Sequence, residues 1–213
     1  MMSTPTPSRT RKLPEERRAE ILAEAARIAL EEGLEKITLR AVAEKLRVRA
    51  GLISHYFPAA EDLVIAAFVR AVSQEREELF PDIGTPTERM AHLVSRLEGQ
   101  GAKDLTRLWL NARHLCRFSP ALAAALEGQE HQDRIRLTDV IESGMTQGDF
   151  KVEDSFTACI RIFVAIDGAG AYVNDSKPFE HVAFTRFLSD AAEWALGMSP
   201  GTLRAAVDAC QTP

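Results

Sequence analysis

Cysteine is scarce in this 213-residue chain: Cys116, Cys159 and Cys210 form no CxxC pair and no other metal-ligand spacing. That excludes a disulfide framework and reads as reduced, mostly buried thiols. Histidine numbers five, and no HExxH, Glu-x-x-His or His-x-x-x-His occurs, so a metal site has no support. No GxSxG is present. Gly168-Ala169-Gly170-Ala171 is glycine-rich, but it follows a helical run rather than a strand and lacks the Lys-Ser/Thr of a phosphate loop. The patterns that carry enzyme chemistry are missing, so no catalysis and no cofactor are expected. No apolar run approaches the ~18 to 20 residues of a membrane span. The N-terminus has basic residues without the apolar core of a secretory signal, which makes a cytoplasmic protein the expectation. Strand patterning is absent, and so is any internal repeat at the spacing of solenoid proteins.

An excess of positive charge is also lacking, since the formal net charge is −5. Divided at Phe57, the chain looks different. Residues 1–57 hold 11 Lys/Arg against 8 Asp/Glu, a balance of +3, which leaves −8 for the remainder. A small basic head on an acidic body suits a nucleic-acid reader with a separate regulatory part.

What is present is apolar periodicity at helical spacing, and with 46% hydrophobic residues it suffices for a core. Residues 1–12 carry Pro5, Pro7, Arg9, Arg11 and Lys12 without periodicity and read as a disordered basic arm. Pro14 opens a first helix, and Gly33 fits the position just past its end. A fourth helix runs from Glu61 and Asp62 to about Leu79, followed by a Pro81–Pro86 loop. A fifth is expected after Thr87, and a sixth through Leu105, Leu108, Ala112 and Leu115. A long seventh spans Pro120 to about Gln147. An eighth runs down Phe156, Cys159, Ile160, Phe163 and Ile166 to near Asp175. A ninth covers about 179–196, and Ser199-Pro200 caps a short tenth. The expectation is all-α, with about nine to ten helices in three parts: the arm, a head over 13–60 and a body over 61–213.

The organising stretch is Thr38–Phe57, TLRAVAEKLRVRAGLISHYF. Leu39, Val42, Ala43 and Leu46 fall at i, i+3, i+4 and i+7, one face of a helix, with Thr38 placed to cap it. After a tight turn, Val48, Ile53 and Phe57 can point inward, while Arg49, Ala50, Ser54 and His55 point outward. Two short helices joined this way read as a helix-turn-helix, and the second is sized for the major groove.

These residues resemble the TetR family of bacterial transcriptional regulators: Val48-x-x-Gly51-x-Ile53-x-x-Tyr56-Phe57, preceded by Thr38-x-x-x-Val42-Ala43 and followed by Glu61-x-Leu63. The run Leu52-Ile53-Ser54-His55-Tyr56-Phe57 looks most like the betaine-regulator branch, the BetI-like repressors. The resemblance covers roughly residues 15–75 and implies a three-helix DNA-binding head on a helical ligand-binding and dimerisation bundle. It implies double-stranded operator DNA, a small organic effector and a second copy as partners, with no membrane. The DNA-facing set it suggests is Thr38, Arg40, Arg47, Arg49, Ala50, Gly51, Ser54, His55 and Tyr56. The chain departs from the family pattern at Arg47, where glycine is usual; at Arg49, where a capping Ser or Thr is usual; and at Ala60, where a phosphate-binding lysine is usual. If the turn needs a positive φ, Arg47 costs about 1 kcal/mol.

Dimerisation in such proteins uses the last two long helices. Here these would present Gly168, Gly170 and Ala171 on one, and Phe184, Phe187, Leu188 and Ala191 on the other. An effector pocket among helices five to eight would be lined by Trp109, Asn111, His114, Phe118, Phe163 and Asp167. Two further classes are open from sequence: a helical enzyme whose head docks a protein, and a ligand-independent DNA-binding or scaffold protein.

Overall fold

The computed structural model describes residues 13–99, 101–176 and 179–211, the Gln211 side chain aside; the expected basic arm lies outside them. Those residues form eleven α-helices and no strand: α1 Pro14–Glu31, α2 Leu39–Leu46, α3 Ala50–Tyr56, α4 Ala60–Leu79, α5 Pro86–Glu98, α6 Ala102–Leu115, α7 Pro120–Gln147, α8 Ser155–Gly170, α9 Val182–Thr185, α10 Phe187–Ala195 and α11 Thr202–Gln211. A single 3-10 turn, Leu34–Lys36, joins α1 to α2. No single helix among the described residues is long and apolar enough to cross a membrane.

Local chemistry explains most helix ends. Pro14 occupies the first turn of α1, where its missing N–H costs nothing, and Gly33 leaves the helix at φ 105. Thr85, rather than Thr87, caps α5 in a reciprocal pair with Glu88: the Glu88 N–H donates to the Thr85 hydroxyl oxygen, and the Thr85 N–H donates to the Glu88 carboxylate. Ser119 caps α7 and Asp154 caps α8, each accepting a backbone N–H. Gly148 ends α7 in the left-handed region.

Two expected boundaries move. The eighth helix stops at Gly170 rather than near Asp175 and passes into turns. The ninth is not continuous, because the backbone leaves helical geometry at Arg186 (φ −105, ψ 2), dividing α9 from α10. His181, through Nδ1, accepts the Ala183 N–H and so sets the start of α9.

The apolar interior is two clusters rather than one. The first joins α1, α2, α3 and most of α4 to Leu105, Leu108 and Ala112 of α6 and to Leu122 and Leu126 of α7. The second joins α5 to α8, α10, α11 and the C-terminal half of α7, through Leu137, Val140 and Ile141. With 28 residues, about 42 Å long at 1.5 Å per residue, α7 runs through both. The head is therefore packed directly onto the body, with α1 against α4 and α6.

Candidate nucleic-acid interface and ligand cavity

The head builds its outer surface on a short buried side. Val42 and Ala43 of α2, and Ile53 of α3 with Phe57 beyond it, are buried together. The opposite faces then point to solvent: Arg49, Ala50, Gly51 and His55 are exposed, while Leu52, Ser54 and Tyr56 are half-buried. The Thr38 hydroxyl oxygen accepts the Ala41 N–H at 3.0 Å and so opens α2. Ser54 donates to the Gly51 carbonyl at 3.2 Å, which leaves its lone pairs outward. Tyr56 packs its ring against the head core, with the His55 ring edge-on at 5.2 Å. Nothing lies within 4 Å of where a Gly51 Cβ would sit, so its backbone is open to close approach.

Arg47 is the one non-glycine residue at positive φ among those described, at φ 54 and ψ 44. The left-handed turn expected of this motif is present and an arginine fills it. Arg47→Gly should raise stability by about 0.5 to 1 kcal/mol in urea unfolding, because a Cβ is penalised there. The same variant should flatten the salt dependence of DNA binding by about one counterion if Arg47 meets a phosphate. Unchanged or lower stability would mean that the side chain makes compensating contacts.

The cations of this surface differ in commitment. Arg40 is 85% exposed, and its Nε donates to Glu44 at 2.8 Å. Lys45 pairs with Glu32 at 2.8 Å, holding the Glu32 carboxyl below the usual range. Arg47 and Arg49 are exposed and make no ion pair among the described residues. They flank the turn as two uncommitted positive charges.

The body holds a cavity of about 260 Å³ among α4, α5, α6, α7 and α8. Its wall is mainly apolar: Leu93, Leu97, Leu105, Leu137, Ile166 and the rings of Phe80, Trp109 and Phe163. One end is charged. There Arg113 Nη1 donates to Asp167 at 2.7 Å and its Nη2 to Glu130 at 3.2 Å, with the guanidinium 5.8 Å from the Trp109 ring centre. Burial works against the Arg113 charge, but the bonds to Asp167 and Glu130 outweigh it and hold its pKa above the ordinary value. Burial pushes the Asp133 carboxyl up, opposed by the buried Arg76 guanidinium that pairs with it from behind the wall.

Of the expected liners, Trp109, Phe163 and Asp167 are in the wall. Asn111, His114 and Phe118 are not. They stand at i, i+3 and i+7 on a different face of α6 and its extension, His114 exposed and Phe118 72% exposed. Asn111 does something else: its Oδ1 accepts the backbone N–H of Leu34 in the 3-10 turn at 2.7 Å, tying α6 to the head. Sequence reading missed Arg113, Glu130, Asp133 and Arg134, because charged residues on a helix read as a solvated face. A usable signal was the spacing Thr106, Trp109, Leu110, Arg113, which is i, i+3, i+4 and i+7.

The expected interface residues also divide. Gly168 is exposed and Phe187 is 44% exposed, Ala191 is half-buried and Ala171 is exposed in the turn after α8. Phe184 sits in an aromatic cluster with Tyr172 and Phe179, at ring separations of 5.4 and 5.6 Å. Two are corrected. Leu188, 5% exposed, points into the protomer's own core. Gly170 faces α6, where a Cβ would stand 2.9 Å from Thr106 Cγ2. Exposed residues that sequence reading omitted are Phe156, Ile160 and Val164 on α8 and Trp194 on α10, with Ile160 and Val164 also at the edge of the cavity. With Gly168, the α8 set falls at i, i+4, i+8 and i+12. The α10 set, Phe187, Ala191 and Trp194, falls at i, i+4 and i+7. Each is a single apolar stripe, and α8 packs on α10.

Fold and site define a class: a helix-turn-helix head fused through shared core helices to an all-helical body with an internal cavity. Residues 21–67 match the family model for bacterial regulatory proteins of the tetR family, so the head is similar to the N-terminal region of that family. No protein among the curated sequences matches the chain. Solved structures share the whole fold. A protein from Saccharomonospora viridis described as a transcriptional regulator, in complex with choline, aligns at TM-score 0.71 and 23% identity, over 84% of this chain and 96% of its own. A TetR transcription regulator from Haloarcula marismortui aligns at TM-score 0.66 and 19% identity, over 92% and 98%. The transcriptional regulator FadR from Bacillus subtilis, in complex with stearoyl-CoA, aligns at TM-score 0.65 and 20% identity, over 84% and 97%. At these identities the likeness is one of fold.

Proposed function

We propose that the chain is a cytoplasmic bacterial transcriptional repressor of the TetR family. It acts as a homodimer on a pseudo-palindromic operator, and a small organic effector in the body cavity releases it. Residues 13–60 serve as the DNA reader and 61–213 as the regulatory and dimerisation part. The observation that carries this reading is the double use of α6, which lines the cavity with Trp109 and Arg113 and holds the head's turn through Asn111. A ligand that shifts α6 thereby acts on the head, provided it binds two conformations with different affinity. Neighbours of the same fold solved with choline and with stearoyl-CoA favour a ligand-binding body.

The Leu52–Phe57 run, which resembles the BetI-like branch, supports a head of that type. The cavity argues against inheriting a choline-type effector with it, because a quaternary ammonium needs free aromatic faces and Arg113 already stands over Trp109.

On the DNA, Arg40 and Arg49 are the long forked donors suited to bidentate guanine contacts, whereas Thr38 and Tyr56 suit phosphates. Operator titration against a base-substitution panel tests the assignment. Arg40→Ala should cost about 1 to 3 kcal/mol per half-site and relax preference at one position. Tyr56→Phe should weaken all duplexes alike and leave the salt slope nearly unchanged, since a neutral hydroxyl releases few counterions. Equal weakening of every duplex by Arg40→Ala would make Arg40 a phosphate clamp, a role its exposed pairing with Glu44 also permits.

A further inference from the structure

A second cavity, of about 120 Å³, lies between α4, α5 and α6 beside the first. Leu79, Leu97 and Leu105 line both, so three leucine side chains form the partition. Leucine rotamers change on fast timescales, and beyond the leucines the second cavity is lined by Gly99, Gly101 and Ala102 together with the polar Glu75, Ser95 and Arg96. The space available to a flexible apolar chain is therefore longer than the larger cavity alone.

The charged end of the larger cavity sets Glu130, Asp133 and Asp167 against Arg113 and Arg134, and these groups are unequally engaged. Arg113 is held by two carboxylates, and Asp133 is held by Arg76. Arg134 is different. Its closest carboxylate oxygen, on Glu130, stands at 3.7 Å, beyond hydrogen-bond distance, while its side chain is only 33% exposed. Its fork makes no side-chain hydrogen bond among the described residues, and a guanidinium with open donors matches a carboxylate through two parallel bonds. A cationic ligand meets the opposite situation. Glu130, Asp133 and Asp167 each already face an arginine, so an ammonium would have to displace one.

We propose that the effector is a monocarboxylate with a long apolar chain. Its carboxylate pairs with Arg134, its chain fills the larger cavity, and a longer chain passes the Leu79–Leu97–Leu105 partition into the second. This rests on the ligand-responsive reading above.

The experiment is calorimetric titration of the full-length protein with octanoate, dodecanoate and hexadecanoate, each below its micelle concentration, beside dodecanol and dodecyltrimethylammonium. Dodecanoate should bind about tenfold or more tighter than dodecanol, the loss of one charge-assisted pair, and the ammonium should not bind. Arg134→Gln should bring dodecanoate to the level of the alcohol, about ten- to hundredfold weaker, while Arg134→Lys keeps most of the affinity. Leu97→Trp, which fills the partition, should erase the advantage of hexadecanoate over dodecanoate and weaken octanoate least of the three. Operator binding by the ligand-free wild type is measured in parallel. Operator binding with no carboxylate binding, or with tighter binding of the ammonium, overturns the ligand class and leaves the regulator reading standing. Dodecanoate binding to Arg134→Gln at wild-type strength overturns the role of Arg134. Wild type that binds carboxylates but no duplex overturns the regulator reading and with it the effector role, and leaves the carboxylate site standing.

Discussion

If the proposed dimer reads two half-sites, operator affinity should fall by about two orders of magnitude or more when Phe187 and Trp194 are both replaced by Asp, because the half-sites are then no longer engaged by one linked molecule. The two residues lie seven positions apart on one face of α10, 44% and 67% exposed, with half-buried Ala191 between them. Phe156, Ile160, Val164 and Gly168 continue the surface on α8. A contiguous apolar surface of this kind marks an interaction site. A second copy presenting the same two stripes gives a self-complementary twofold contact. A carboxylate at 187 would be buried unpaired at that contact, and one at 194 would remove the ring over which the Arg161 guanidinium stands at 4.7 Å. Neither side chain belongs to the protomer's own core, so the variant should fold and melt as a monomer. Sedimentation and operator titration are the paired readouts. Wild type that sediments as a stable monomer at micromolar concentration, or a double variant that stays dimeric, would place the twofold contact elsewhere.

Arg76→Ala should cost about 3 to 5 kcal/mol of stability, the range for removing one partner of a buried ion pair. Arg76 is 7% exposed near the end of α4. Its guanidinium pairs with Asp133 and donates to the Gln129 carbonyl at 3.1 Å and side-chain oxygen at 2.8 Å, cross-linking α4 to α7 between the two cores. Removal strands a carboxylate whose pKa burial already raises. A carboxyl with a raised folded-state pKa is best tolerated protonated. Loss of Arg76, which holds that pKa down, lifts it further, so the deficit of Arg76→Ala should narrow as pH falls from the variant's higher Asp133 value to the wild-type one. Adding Asp133→Asn should recover part of the loss at neutral pH. Urea unfolding across pH measures all three, and a deficit under about 1 kcal/mol that does not vary with pH would mean that water replaces the guanidinium.

The head could be read closely from the chain because its determinants are local. Thr38 capping α2, the spacing Leu39–Val42–Ala43–Leu46, the Arg47 turn and the Ile53–Phe57 side of α3 lie within twenty consecutive residues, and each acts over one or two helical turns. The cavity resisted reading because its determinants are not local. Asn111, His114 and Phe118 share one stripe of α6 and Trp109 and Arg113 another. Periodicity reports that stripes exist without saying which one meets α7 and α8 and which meets the head. The charged wall was hidden for a related reason. Arg113, Glu130 and Asp167 come from three helices, and their mutual pairing offsets the partial loss of water around each charge.

Leu188 and Trp194 state the same division on a single helix. The chain alone determined that α10 would be apolar, that the fold would be helical throughout and that a helix-turn-helix would stand near its start, since propensity, capping and periodicity act along the backbone. Packing against α8 and α5 decided that Leu188 would turn into the protomer and Trp194 away from it. An apolar side chain gains by leaving water in either direction, and the partners that choose the direction are distant in sequence.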